Sequence, residues 1–126
     1  MTPPSPAYLR GAGSTPFGRH EGRGALDLMA GAAHQALASA GLARADIDGV
    51  LCGYATTLPH LMLSTLFCER FALAPRYAHS MQLGGATGAA MLMAARELVR
   101  SGRCRNVLVV AGENRLTGQS RDSSIQ

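Results

Sequence analysis

The sequence predicts an α/β fold built on a mostly parallel sheet, and three observations predict it. Apolar stretches of strand length alternate with stretches whose apolar residues recur at helical spacing, in the order β-α-β-α-β-α-β. Residues 106–112 (NVLVVAG) are continuously apolar and rich in β-branched side chains, as a central parallel strand buried on both faces should be. Glycines stand where two of the helices must end, at Gly41 and Gly102.

The elements follow in order. Residues 1–5 are polar and proline-rich, and disorder is expected there. Residues 6–12 (PAYLRGA) read as a first strand, and residues 13–23 as a loop of glycine, proline and polar residues. From Ala25 to Ala40, the residues Leu26, Met29, Ala30, Ala33, Leu37 and Ala40 recur at helical spacing. A polar turn (ARADID) leads into a second strand at 48–54. Residues 60–72 read as a second helix with Leu63, Leu66, Phe67 and Phe71 on one side, closed off by Pro75. A third strand follows at 76–82, then a glycine-rich elbow at 84–88 (GGATG) and a third helix at 88–101. That helix turns Met91, Leu92, Ala95, Leu98 and Val99 one way. Its opening, from Gly88 to Ala95, is apolar on every side. A helix apolar all round is buried all round, so it calls for a second layer that these residues do not encode. The chain is therefore expected to be incomplete or obligately partnered. The domain is expected to span 6–115, with 116–126 a loop or a truncated continuation.

Composition narrows the function. The net charge is +4, carried by twelve arginines and no lysine. These arginines are scattered, and there is no Trp to stack on bases, so a nucleic-acid partner is not indicated. No apolar run reaches the roughly 18 residues of a membrane span, and no signal peptide opens the chain; a cytoplasmic protein is expected. Cys52, Cys68 and Cys104 are odd in number and widely spaced, which suits buried thiols better than disulfides or a metal site. Gly11-x-Gly13 lacks the third glycine of a dinucleotide fingerprint, and a phosphate-binding P-loop needs a lysine. The histidines His20, His34, His60 and His79 pair with no Cys or carboxylate at nucleophile spacing.

The informative segment is Gln82-Leu83-Gly84-Gly85-Ala86-Thr87-Gly88, where a strand turns sharply into an apolar helix. Free backbone N–H groups and the helix dipole favour negative charge at such a point, and can hold an oxyanion. The same glycines would also serve a tight structural turn.

Gly84-Gly85-Ala86-Thr87-Gly88 resembles the nucleophile elbow of the thiolase superfamily, in particular the sterol-carrier-protein type. Three further stretches match in order: 11–18 resembles the loop after the first thiolase strand, 43–50 the helix-to-strand turn, and 107–113 the strand after the nucleophile helix. The resemblance spans roughly residues 7–115. It implies a thiolase-like layered α/β fold, of which this chain holds a partial N-terminal half. One departure matters: Gly85 occupies the position of the family's nucleophilic cysteine, so no catalytic residue is assigned. Gly84, Gly85, Ala86 and Thr87 remain as the expected substrate-binding residues.

The resemblance implies acyl-CoA acetyltransferase or thiolase chemistry, making or breaking carbon–carbon bonds on an acyl-CoA, and inactivity in a chain of this length. CoA or acyl-CoA would be the substrate, with no covalently bound cofactor and no metal. The alternative is a non-catalytic acyl-CoA-binding or scaffold subunit working with a partner protein, or a split enzyme whose C-terminal half is another chain. A homodimer is expected through residues 76–82, which the resemblance puts at a sheet edge.

Overall fold

A computed structural model describes residues 6–16, 22, 24–53 and 62–112. Among the described residues six elements make the fold: α1 (Ala25–Ala40), β1 (Gly49–Gly53), α2 (Leu63–Phe71), β2 (Tyr77–Met81), α3 (Thr87–Arg100) and β3 (Val107–Val110), with short 3-10 turns at Arg44–Asp46 and Gly84–Ala86. The three strands form one parallel sheet in the order β2-β1-β3. The predicted α/β class holds, and among the described strands the sheet is wholly parallel.

Chain direction sets the layers. The crossover from β1 to β2 runs to one side of β1, and the crossover from β2 to β3 runs back across it. Right-handed crossovers in opposite directions put their helices on opposite faces of a sheet. Accordingly α2, joined by α1, covers the face carrying Val50, Cys52, Leu108 and Val110. Helix α3 covers the face carrying Leu51, Met81, Val107 and Val109. β1 lies in the middle and is buried along its whole length. Phe67 and Phe71, one turn apart on α2, stack at 5.5 Å in the larger core.

Caps follow the sequence. Gly41 closes α1 with φ +70°, and the Leu42 N–H reaches back to the Leu37 carbonyl at 3.0 Å. Asp27 accepts the Gly24 N–H at the start of α1 and pairs with Arg70 of α2 at 2.8 Å, tying the two helices together. Asp48 joins the strand entrances. Its carboxylate accepts the N–H groups of Arg105 and Asn106, and its carbonyl those of Arg76 and Tyr77.

Two expectations are corrected. Residues 6–12 form no strand. They run along α1: the Ala12 N–H donates to Ser39 Oγ at 3.4 Å, the Ser14 N–H to Gln35 Oε1 at 3.2 Å, and an Arg10 guanidinium nitrogen to the Ala40 carbonyl at 3.4 Å. The Ala12 N–H is taken up by a helix side chain rather than by a neighbouring strand. The second correction concerns α3, which is buried on one side only. Met91 and Leu98 face the sheet, while Leu92 and Met93 are exposed, so Leu92 does not share the buried side. The second layer that an all-apolar helix calls for is not among the described residues. The expected ends at 1–5 and 116–126 lie outside the described residues.

Candidate functional site

The elbow sits where β2 ends and α3 begins. β2 delivers the chain to the carboxyl edge of the sheet, the edge at which parallel α/β folds hold their ligands. There the backbone tightens into the 3-10 turn Gly84–Ala86 and passes straight into α3 at Thr87. All four residues singled out in the sequence, Gly84, Gly85, Ala86 and Thr87, are thus brought together in one turn. Thr87 is half-buried and the other three are exposed.

Thr87 holds the turn closed. Its Oγ1 accepts the Leu83 N–H at 2.9 Å and donates to the Gly84 carbonyl at 2.8 Å. The hydroxyl is therefore engaged in both directions. The Thr87 and Ala86 N–H groups are also spent, on the carbonyls of Gly84 and Leu83. What remains is a pair: the Gly84 and Gly85 N–H groups have no acceptor among the described residues. Two adjacent donors at the head of a fourteen-residue helix can hold a carbonyl oxygen that gains negative charge.

The two glycines differ. Gly84 has φ +56°, a left-handed conformation that side chains disfavour. Gly85 has no such φ, and a Cβ built on it would meet nothing within 4 Å. The absence of a side chain at 85 leaves open space beside the free N–H groups, and nothing in the local backbone requires it.

A residue the sequence reading missed sets the height of the elbow. A Cβ on Gly53, the last residue of β1, would lie 3.6 Å from Thr87 Cγ2, 3.3 Å from Met91 Cε and 3.0 Å from Ala111 Cβ. The bare backbone of Gly53 lets the first turn of α3 settle onto the end of the central strand. A glycine closing a buried apolar strand was the available signal.

The cysteines stand apart from this chemistry. All three are buried and free. Burial, with a smaller contribution from Cys68, pushes the Cys52 thiol up to about 12, and burial also raises Cys68 and Cys104. Thiols held neutral this way are poor nucleophiles. Among the described residues no group of three or more His, Cys, Asp or Glu could hold a metal ion, and no helix is long and apolar enough to cross a membrane. Of the tyrosines, Tyr8 is exposed, Tyr77 lies on β2, and Tyr54 falls outside the described residues, as do His20 and His60. A groove of about 450 Å³ opens on the α1–α2 side among His34, Leu37, Leu42 and Phe71, with the Arg44 guanidinium 4.3 Å above the Phe71 ring. It is across the sheet from the elbow.

No protein-family model and no curated protein matches the chain. Solved structures do. An Ltp2–ChsH2(DUF35) aldolase superposes with a TM-score of 0.77 at 24% identity, over 98% of this chain and 32% of that one. An acetyl-CoA acetyltransferase from Syntrophomonas wolfei gives a TM-score of 0.67 at 24% identity, over 80% and 27%. The 3-oxoacyl-[acyl-carrier-protein] synthase III of Aquifex aeolicus VF5 gives 0.70 at 19% identity, over 82% and 35%. The fold is thiolase-like, in its N-terminal portion. This thiolase-like chain spans about a third of the length of the solved structures it matches.

Proposed function

We propose that the complete protein binds an acyl-CoA and uses the Gly84–Thr87 elbow to hold its carbonyl oxygen. The observation that carries this reading is the pair of N–H groups at Gly84 and Gly85 that have no acceptor among the described residues, on two glycines where an added Cβ would meet nothing within 4 Å. With glycine at position 85 the elbow offers no nucleophile for an acyl-enzyme. Polarisation of the carbonyl by the elbow is its contribution, and the proton-transferring groups come from the remainder of the protein or from a partner.

Two outcomes of such binding remain in view, each with an observation behind it. Thiolase-like neighbours include an acetyl-CoA acetyltransferase, which supports acyl transfer. The neighbour that covers 98% of this chain is an aldolase named for two components, which supports carbon–carbon bond chemistry, or a binding role, alongside a small partner protein. We also propose a homodimer through 76–82: β2 is an outer strand of the sheet, exposed along its first three residues and free of proline.

The test is titration of the complete protein with acetyl-CoA and longer acyl-CoAs by calorimetry, with mass spectrometry of the Gly85→Cys variant. In that variant the introduced thiolate attacks the thioester carbonyl and free CoA leaves, so the protein gains the mass of the acyl group. Binding with acylation of the variant supports the reading. Absence of binding by every acyl-CoA overturns it in favour of a scaffold subunit.

A further inference from the structure

We propose that the groove between α1 and α2 binds a small carboxylic acid with an apolar tail, its carboxylate on the Arg44 guanidinium and its tail along Leu37, Leu42 and Phe71. This site lies across the sheet from the elbow and does not rest on the acyl-CoA reading.

Core packing builds the floor. Leu37 on α1 and Phe71 on α2 are buried in the larger core, and Leu42 packs against that core from the turn after α1. Where the two helices end, these side chains and Ala38 line an open groove of about 450 Å³. Small-molecule sites run from roughly 300 to 1,000 Å³. Of the described residues that line it, His34 and Arg44 carry the polar side chains, and none is a carboxylate.

Arg44 is held at this floor without being neutralised there. The Asp46 carboxylate accepts the Ala43 N–H at 2.8 Å, and the Ile47 N–H donates to the Arg44 carbonyl at 3.1 Å, which fixes the 3-10 turn that carries Arg44. From that turn the guanidinium lies over the Phe71 ring, 4.3 Å from its centroid. Stacking occupies the flat face of the group and leaves the N–H donors at its edge. Those donors make no hydrogen bond and no ion pair with any described residue. Arg70, on α2 beside Phe71, differs: its guanidinium is taken by Asp27 at 2.8 Å. A planar fork at the end of an apolar floor matches a carboxylate on an apolar body, held bidentately at one end and desolvated along the rest.

The same features disfavour a polyphosphate, which wants several cations or free backbone N–H groups. The Leu42 N–H is spent on the Leu37 carbonyl at 3.0 Å, and the Ala43 N–H on Asp46. The C-terminus of α1, closed by Gly41, also brings the negative end of its dipole to this groove. One carboxylate paired with Arg44 tolerates that field better than a multiply charged group.

Octanoate is the probe, with octanamide as its uncharged counterpart, titrated into the complete protein by calorimetry. Octanoate is expected to bind with a Kd of about 1 mM, in keeping with so small a ligand on an open groove. Octanamide should bind about tenfold more weakly, for want of charge-assisted hydrogen bonds. Arg44→Gln should remove that preference, bringing octanoate to the level of octanamide. Ala38→Phe, which sets a ring into the groove from α1, should weaken both. Arg44 and Ala38 are exposed, so both variants are expected to fold, and thermal melting checks this. Equal binding of the two probes overturns the proposal, as does octanoate binding that neither variant changes, which would lie elsewhere. No saturation at about ten times the expected Kd overturns it too. So does self-association of the parent, by light scattering, that Ala38→Phe abolishes, because a second copy would then cover the groove.

Discussion

Thr87 and Leu83 are joined across the elbow: the Leu83 N–H donates to Thr87 Oγ1 at 2.9 Å, and the same hydroxyl donates onward to the Gly84 carbonyl at 2.8 Å. One side chain therefore bonds two backbone groups that the strand has released and the helix has not yet taken up. Thr87→Val keeps the shape and loses both bonds. It is expected to cost about 1–2 kcal/mol in chemical denaturation, in the range of a lost helix cap or a net hydrogen bond. Thr87→Ser should restore most of it.

Gly84 and Gly85 should respond in opposite ways to a side chain. At Gly84, with φ +56°, alanine is strained and is expected to cost about 1–2 kcal/mol. At Gly85 a Cβ meets nothing, so Gly85→Ala should leave the stability within about 0.5 kcal/mol of the parent. If acyl-CoA occupies the elbow, Gly85→Ala should nonetheless alter its affinity, since the new methyl group enters the space beside the free N–H groups. Thermal melts and calorimetric titration of the two variants separate fold from site.

Cys52 gives the chain an alkaline limit. Its thiol is raised from 9.0 to about 12 by burial and, to a lesser extent, by Cys68. The unfolded chain releases this proton from about pH 9 upward, while the folded chain keeps it. Between those values the folded state binds more protons, so stability falls as pH rises. Below about pH 9 the thiol is neutral in both states and contributes no slope. No lysine titrates in this window to mask the effect. Urea midpoints should decline as pH rises above about 9, and Cys52→Ala should lessen that decline without abolishing it, since burial also raises Cys68 and Cys104. At about pH 8, alkylation of all three native thiols by iodoacetamide should proceed no faster than the protein opens.

The α1, α2 and α3 segments were legible because their apolar spacing is local, and Gly41 and Gly102 marked two of the ends in the sequence itself. The parallel sheet was legible from the alternation of strand-length and helical stretches; NVLVVAG was legible as a strand but not by its place, since β3 lies at one end of the described sheet with Val107 and Val109 only half-buried. The four elbow residues were legible as a group, since strand, glycines and apolar helix follow one another directly. Their division of labour was not. That the Thr87 hydroxyl closes the turn, while the Gly84 and Gly85 N–H groups stay unspent, depends on how Leu83 folds back, and Leu83 carries no special chemistry in the sequence. The strand expected at 6–12 failed for a related reason. A short strand-length stretch is a local property, whereas a strand also needs a neighbour for its backbone, and here Ser39 and Gln35 of α1 accept the Ala12 and Ser14 N–H groups.

Gly11 and Gly13 allow that arrangement, and they make a prediction of their own. A Cβ on Gly11 would lie 2.7 Å from both the Ala36 carbonyl oxygen and the Ala40 nitrogen. One on Gly13 would press on the Ala32 carbonyl oxygen, Gln35 Cβ and the Ala36 nitrogen. These obstacles are mainly helix backbone and cannot turn aside as a flexible side chain would. Gly13→Ala should therefore lift the segment from α1 and break the bonds to Gln35 and Ser39. The expected cost is about 1–3 kcal/mol, as for overpacking elsewhere. Hydrogen exchange locates the effect: the Ala12 and Ser14 amides should lose protection, while those of β1, on the sheet side of α1, keep theirs. Loss of protection in β1 as well would mean that the N-terminal segment supports the sheet, rather than merely lying along the helix.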